Sequence, residues 1–364
     1  MNPSSELLFR CVLDPERAVS LEPREWDGLL RLARRCALLS RLGSQIEQSG
    51  CADRLPARVR DHLLAVAAVA EYHQRSVRWE MNRLRHALRD VEVRTVLLKG
   101  AAYVMGGLPV ARGRLVNDVD ILVPRCSLEA VEQALRGHGW EPLAHDQYDD
   151  YYYRTWMHEL PPLRHRDRGA VIDVHHTILP LTGRLHPDPQ LLLDAARPIS
   201  GGDFYALAPE DTVLHAAAHA FQDGDLAGGL RDLTDLDILL RHFAEAESGF
   251  WERLVPRAER LQLMRPLYYG LRYAQKLWRT PVPEEAVAAV RTARPAWPLR
   301  RLMDALVTRA LVPTIEDGAS RTADLARLLL YIRSHWLRMP PWLLARHLAR
   351  KTIRRYVARS KENR

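Results

Sequence analysis

The 364-residue chain has only four cysteines (Cys11, Cys36, Cys51 and Cys126) and no CxxC pair among them. That argues against a disulfide framework and a cysteine zinc site. It fits a reducing compartment, so the expected location is the cytoplasm. There is no run of about 18 apolar residues, which excludes a spanning helix. Met1 to Arg10 lacks the charged-then-apolar pattern of a secretory signal. The sequence has no G-x-x-x-x-G-K-[ST] loop, no dinucleotide fingerprint, no internal repeat and no low-complexity tract. His165-Arg166-Asp167 spells the kinase catalytic tripeptide, but the asparagine that should follow and the glycine-rich loop that should precede it are both missing. Acidic residues are outnumbered, 45 against 53 Lys and Arg, for a net charge of +8. A basic balance permits phosphate-rich partners without requiring them. The remaining composition, 47% apolar and 27% charged, is that of a globular chain long enough for two or three domains.

What is present centres on residues 93–123. Val93–Leu98 reads as a strand, Lys99-Gly100 as a turn into a short helix, and Val119–Val123 as a second strand. Side chains alternate across a strand, so Asp118 and Asp120 share one face while Val119, Ile121 and Val123 enter the core. Two like charges on one face disfavour each other's ionisation, and a cation between them relieves this. Oxygen ligands in this number suit Mg2+, completed by substrate phosphates and water.

Around this unit, residues 1–90 read as helical, including a long amphipathic helix from about 57 to 90. Ser127 is placed to cap a helix running to about Leu135. Tyr151–Trp156 reads as an aromatic strand, 166–169 as a turn, and Ala170–His176 as a strand with Val171, Asp173 and His175 on one face. Residues 181–205 are a Pro- and Gly-containing connector. Helices resume after Pro209, first through Phe221, then Leu230–Phe243, with later breaks expected at Pro281, Pro283, Pro298 and Pro313. Asp211, His215 and His219 form one helical stripe, but no glutamate completes a zinc-protease motif and the flanking residues read as core.

Leu98-Lys99-Gly100, Arg114-x-x-x-Asp118-x-Asp120 and Val171-Ile172-Asp173-Val174 together resemble the DNA polymerase β-like nucleotidyltransferase superfamily. More narrowly, the chain resembles a bacterial group of uncharacterised nucleotidyltransferases. The likeness extends to Pro209-Glu210-Asp211 and to Arg231-Asp232-Leu233-Thr234-Asp235-Leu236. It implies an α+β fold: a small polymerase β-like core with a mixed sheet over 91–200, an N-terminal helical region over 1–90, and a C-terminal helical domain with a basic tail over 201–364. It implies NTP as donor, ATP expected, with two Mg2+ ions (Mn2+ as substitute) held by Asp118, Asp120 and Asp173. Lys99 and Arg114 would neutralise phosphate charge, and Gly100 would let the backbone approach the triphosphate. Ala101 departs from the family's Gly-Ser or Gly-Gly turn and removes a hydroxyl contact. His175 would line the site beside Asp173. Arg231 and Asp235 are candidates for contacting nucleotide or acceptor, or alternatively form an i,i+4 ion pair.

The acceptor stays open among a small molecule, a peptide or protein, and an RNA end. Two other readings stand beside the enzyme: a catalytically degenerate nucleotide- or RNA-binding protein, and a membrane-peripheral scaffold. The last draws on residues 343–361, where seven Lys and Arg occur with no acid. That stretch is a packed terminal helix, an anionic-membrane contact or a nucleic-acid contact.

Overall fold

The structure, a computed structural model, describes residues 3–143, 147–223, 226, 229–311 and 321–344. Its strands are β1 (Val96–Leu97), β2 (Asp118–Leu122), β3 (Trp140–Pro142), β4 (Leu163–His165), β5 (Val171–His175), β6 (Arg197–Pro198) and β7 (Tyr205–Ala206). They form one mixed sheet in the order β3-β4-β5-β2-β1-β7-β6. β2 lies in the middle, parallel to β5 and antiparallel to β1. Val119 and Ile121 of β2 and Ile172 and Val174 of β5 are buried on one face of this pair. On the other face the register sets Asp120 directly beside Asp173. The alternation expected of these strands is therefore the alternation that forms.

β1 is shorter than the expected 93–98 strand. The Val93 amide turns back to the Val91 carbonyl (2.8 Å), so regular pairing starts only at Val96. The sheet also runs past residue 200, because β7 pairs in parallel with β1. Tyr151–Trp156 is not a strand. It belongs to the helix Gln147–Trp156, where Tyr152 meets Tyr148 and Trp156 at helical spacing. Arg154 fixes that helix through Asp150 one turn back (2.9 Å) and through Glu132 of the helix Leu128–Gly137 by two bonds of 2.8 Å. Tertiary pairing of this kind overrides the strand preference of tyrosine.

Helices Pro3–Leu13, Pro23–Arg35, Leu39–Gln48 and Ala57–Ala87 precede the sheet. The second begins with a capping box: the Glu22 amide donates to Glu25 (2.9 Å) with Pro23 at the first helical position. The 31-residue helix Ala57–Ala87 packs on Leu39–Gln48, Lys99–Met105 and Leu128–Gly137. After the sheet come Pro209–Ala218, Gly229–Ala246, Phe250–Arg260, Met264–Tyr273, Glu284–Ala289, Trp297–Leu311 and Arg321–Arg338. Pro298 does not break a helix, contrary to expectation. It sits in the first turn of Trp297–Leu311, where its missing amide has no partner to lose. One buried apolar cluster runs from Leu8 to Leu330 and joins helices on both sides of the sheet in the chain to the sheet itself. Among the described residues no helix is long and apolar enough to cross a membrane. Residues 345–361 of the basic tail, and Pro313, lie outside the described residues.

Candidate active site

The site is built on the polar face of β2 and β5. Asp120 is buried, 3% exposed, and its Oδ1 accepts from Lys99 Nζ and from His175 Nε2, each at 3.1 Å. Burial alone would push this carboxyl up. The Lys99 charge and the His175 hydrogen bond more than offset that, and Asp120 lies well below the usual carboxylate range. His175, 2% exposed, is itself pushed up: burial opposes its charge, but the bond to Asp120 and the Glu159 carboxylate win. Lys99 adopts a left-handed φ of +43° at the junction of β1 and the helix Lys99–Met105. A non-glycine residue in that region carries local strain of about 1–3 kcal/mol, and here it belongs to the residue that reaches Asp120.

Asp173, beside Asp120, has no such partner. Its Oδ1 is buried and makes no hydrogen bond. Burial first, then the charges of Glu159 and Asp120, push its carboxyl up to about 7. Asp118, at the exposed end of β2, is raised as well, by desolvation and then by Asp120. Neither acid of the Asp-x-Asp pair serves as an ordinary partner of a nearby arginine. Arg112 bonds Gln48 (3.1 Å) and Arg114 bonds Asp235 (2.7 Å). A cavity of about 710 Å³ opens at Asn117 and Asp118, between β2, β5 and the Tyr72–Glu80 stretch of the long helix. Its wall includes Trp79, over which the Arg168 guanidinium stacks at 5.2 Å, and Arg168 in turn pairs with buried Glu80 (3.1 Å).

The other expected residues are engaged by the chain's own groups. Arg114 Nε and Arg41 Nη2 grip the two oxygens of Asp235 at 2.7 and 2.6 Å, and all three side chains are nearly buried. Asp235 therefore forms no i,i+4 pair with Arg231, which bonds its neighbour Asp232 instead (2.9 Å). The reason is reach: Asp235 faces inward from the helix Gly229–Ala246, toward the two cations. Gly100 is buried, and a Cβ there would stand 2.7 Å from Val116 and 2.8 Å from Arg114, so its missing side chain makes room for this chain's own packing. Gly113 (φ +64°) lets the loop before β2 lie on Ser40 and Arg41, where a Cβ would approach backbone to 2.5 Å. Ala101 is buried inside the helix Lys99–Met105. In the histidine stripe, Asp211 is fully buried in a two-bond pair with Arg257 (2.6 and 2.7 Å). His215, buried near Lys99, is driven well below its ordinary pKa by desolvation and then by the Lys99 charge.

Sequence reasoning missed His158, Glu159 and Arg41. Glu159 lies opposite His175 in an isolated antiparallel bridge, with its Oε2 3.4 Å from His175 Nδ1 and 3.9 Å from His158 Nε2. Their segment has no strand-like alternation, and the signal available was only a His-Glu dipeptide of the sort found on any surface. Arg41 is 194 residues from its partner, beyond any local pattern.

No curated protein and no solved structure matches the chain. The sequence model of a family described as uncharacterised nucleotidyltransferases matches residues 22–279, which take in the whole sheet and the Asp235 clamp, and the chain belongs to that family.

Proposed function

We propose that the protein is a Mg2+-dependent nucleotidyltransferase on a polymerase β-like core. It moves an NMP group from an NTP, with ATP expected, to a hydroxyl- or phosphate-bearing acceptor. The observation that carries this reading is the buried, partnerless Oδ1 of Asp173, set in register beside Asp120 and on the same face as Asp118. Three carboxylates gathered in this way repel one another, and Asp118 and Asp173 are both pushed toward protonation. The donor set is all oxygen and fits a hard divalent ion. Asp118, Asp120 and Asp173 would hold the ions. An ion held there would supply Lewis-acid activation of an attacking hydroxyl and neutralise charge on the leaving pyrophosphate.

The chain's own groups supply the rest. Lys99 and His175 hold Asp120 ionised and fixed in orientation. Asp173 Oδ1, free of hydrogen bonds, is the atom suited to take the acceptor's proton. A cavity borders Asp118 at the start of β2. Arg114 and Asp235 act at one remove, as a clamp that sets the loop leading into β2. The test is incubation of purified protein with Mg2+ and each labelled NTP, alone and with host cell extract, followed by separation of small-molecule, peptide and RNA fractions. Label in one fraction, lost to background in Asp118→Asn, is expected. Asp118 is exposed, so that variant should fold normally. Undiminished transfer by Asp118→Asn would sink the mechanism.

A second reading, a nucleotide- or RNA-binding protein without turnover, draws on the Lys99–Asp120 ion pair, which satisfies one carboxylate with no metal. NTP binding by equilibrium dialysis, with no labelled product in any fraction, would favour it.

A further inference from the structure

Beyond the three aspartates, a second set of ligand atoms converges behind Asp120. We propose that His158 Nε2, Glu159 Oε2 and His175 Nδ1 form a binding site for one transition-metal ion of the zinc class. It is distinct from the carboxylate centre and joined to it by a hydrogen bond. One ligand atom from each of the three residues lies within 4.8 Å of the others. Bonds of roughly 2.0–2.1 Å place neighbouring ligands of a tetrahedral zinc about 3.3–3.4 Å apart. Glu159 and His175 already stand at that separation, 3.4 Å, and His158 is 3.9 Å from Glu159; closure on an ion contracts a set that spans up to 4.8 Å. Two imidazoles and one carboxylate are a borderline donor set. It selects zinc over Mg2+, which prefers oxygen alone.

Two further observations point to a ligand. His175 is 2% exposed, yet its Nδ1 has no hydrogen-bond partner and is directed at Glu159. Its other nitrogen reaches Asp120 at 3.1 Å. That is the arrangement by which a metal-ligating histidine is oriented: one nitrogen to the ion, the other N–H to a carboxylate. A metal on Nδ1 would fix the ring proton on Nε2, facing Asp120. The backbone is held independently of the metal. The bridge between Glu159 and His175 is flanked by Leu160 N to Val174 O (2.9 Å) and His176 N to His158 O (2.9 Å). An entry path exists as well, since Glu159 lines a cavity of about 510 Å³ with Arg125, Arg136, Arg154 and His176. Three protein ligands leave a fourth position for water.

This proposal does not rest on nucleotidyl transfer, and its test needs no NTP. Metal-free full-length protein is titrated with Zn2+ against a chromophoric chelator, and the zinc-loaded protein is studied by X-ray absorption. Expected are one equivalent bound, two imidazole ligands in the spectrum, and a rise in Tm with Zn2+. Glu159→Gln and His158→Gln should each weaken binding by at least about tenfold, while Asp118→Asn leaves it intact. Should His158→Gln fail to fold, Glu159→Gln carries the test, because that side chain borders the cavity. Absence of zinc binding, a spectrum without histidine, or binding lost in Asp118→Asn but retained in Glu159→Gln would each overturn the site.

Discussion

Asp235 is the residue on which distant parts of the chain meet. Its two oxygens each receive a buried guanidinium, Arg41 from before the sheet and Arg114 from the loop entering β2. Removing the carboxylate would strand two cations in a desolvated place, which costs about 3–5 kcal/mol when a buried pair is broken. Asp235→Ala should therefore lower the denaturant midpoint by that equivalent and loosen the approach to β2. Equilibrium urea unfolding followed by far-UV circular dichroism measures it. Glu132 offers a pH test. The hydrogen bonds from Arg154, which outweigh its partial burial, hold it below its ordinary pKa of 4.5. A depressed carboxyl binds fewer protons folded than unfolded. Its contribution is thus complete above about pH 4.5 and is lost as pH falls through the lower folded value. Glu132→Gln should flatten the loss of stability below pH 4.5 and change its slope little above pH 6.

At the scale of elements, the helices Pro23–Arg35 and Phe250–Arg260 end in left-handed residues that are not glycine. Ala37 (φ +54°) follows Pro23–Arg35, and the Leu38 amide reaches back to the Ala33 carbonyl (2.8 Å). Gln262 (φ +59°) follows Phe250–Arg260 in the same way, with Leu263 bonding Ala258 (2.7 Å). Both are Schellman-type stops of a kind that favours glycine. Ala37→Gly, at an exposed position, should stabilise the protein by roughly 0.5–1 kcal/mol, read as a Tm increase of about 1 °C by calorimetry. Elements also mark where a sequence is readable. β2 and β5 were legible because their alternation of valine and isoleucine with acids is enforced by a core on one face. Their side-by-side register, which sets Asp120 against Asp173, is not encoded in either strand alone. The helix Gln147–Trp156 was misread because tyrosine and tryptophan favour strands in general, while this segment is decided by Arg154, whose partners lie on its own helix and on a neighbouring one. Arg114 was legible as a site-adjacent cation, but its partner lay 121 residues away, where spacing says nothing.

At the scale of the whole molecule, the sheet and its supports are not confined to one stretch. β1 pairs with β7 across the 200 mark, Glu80 of the long helix anchors the turn before β5 through Arg168, and Gly113 seats its loop on Ser40 and Arg41. A fragment comprising residues 91–200 would lack β7, Glu80, Arg41 and Asp235 at once. It should give broad, poorly dispersed amide signals by NMR and no cooperative thermal transition, whereas the full chain unfolds cooperatively. A well-dispersed spectrum from the fragment would show that the sheet needs none of these contacts.

The Asp235 clamp also has a consequence in time. Arg41 and Asp235 are 194 residues apart in the chain. At ribosomal speeds of 5–20 residues per second, Arg41 waits roughly 10–40 s for its counter-charge to be made. Through that interval the loop delivering Arg114 lacks the carboxylate that grips it. The loop into β2 therefore gains its clamp only once the helix Gly229–Ala246 has been made.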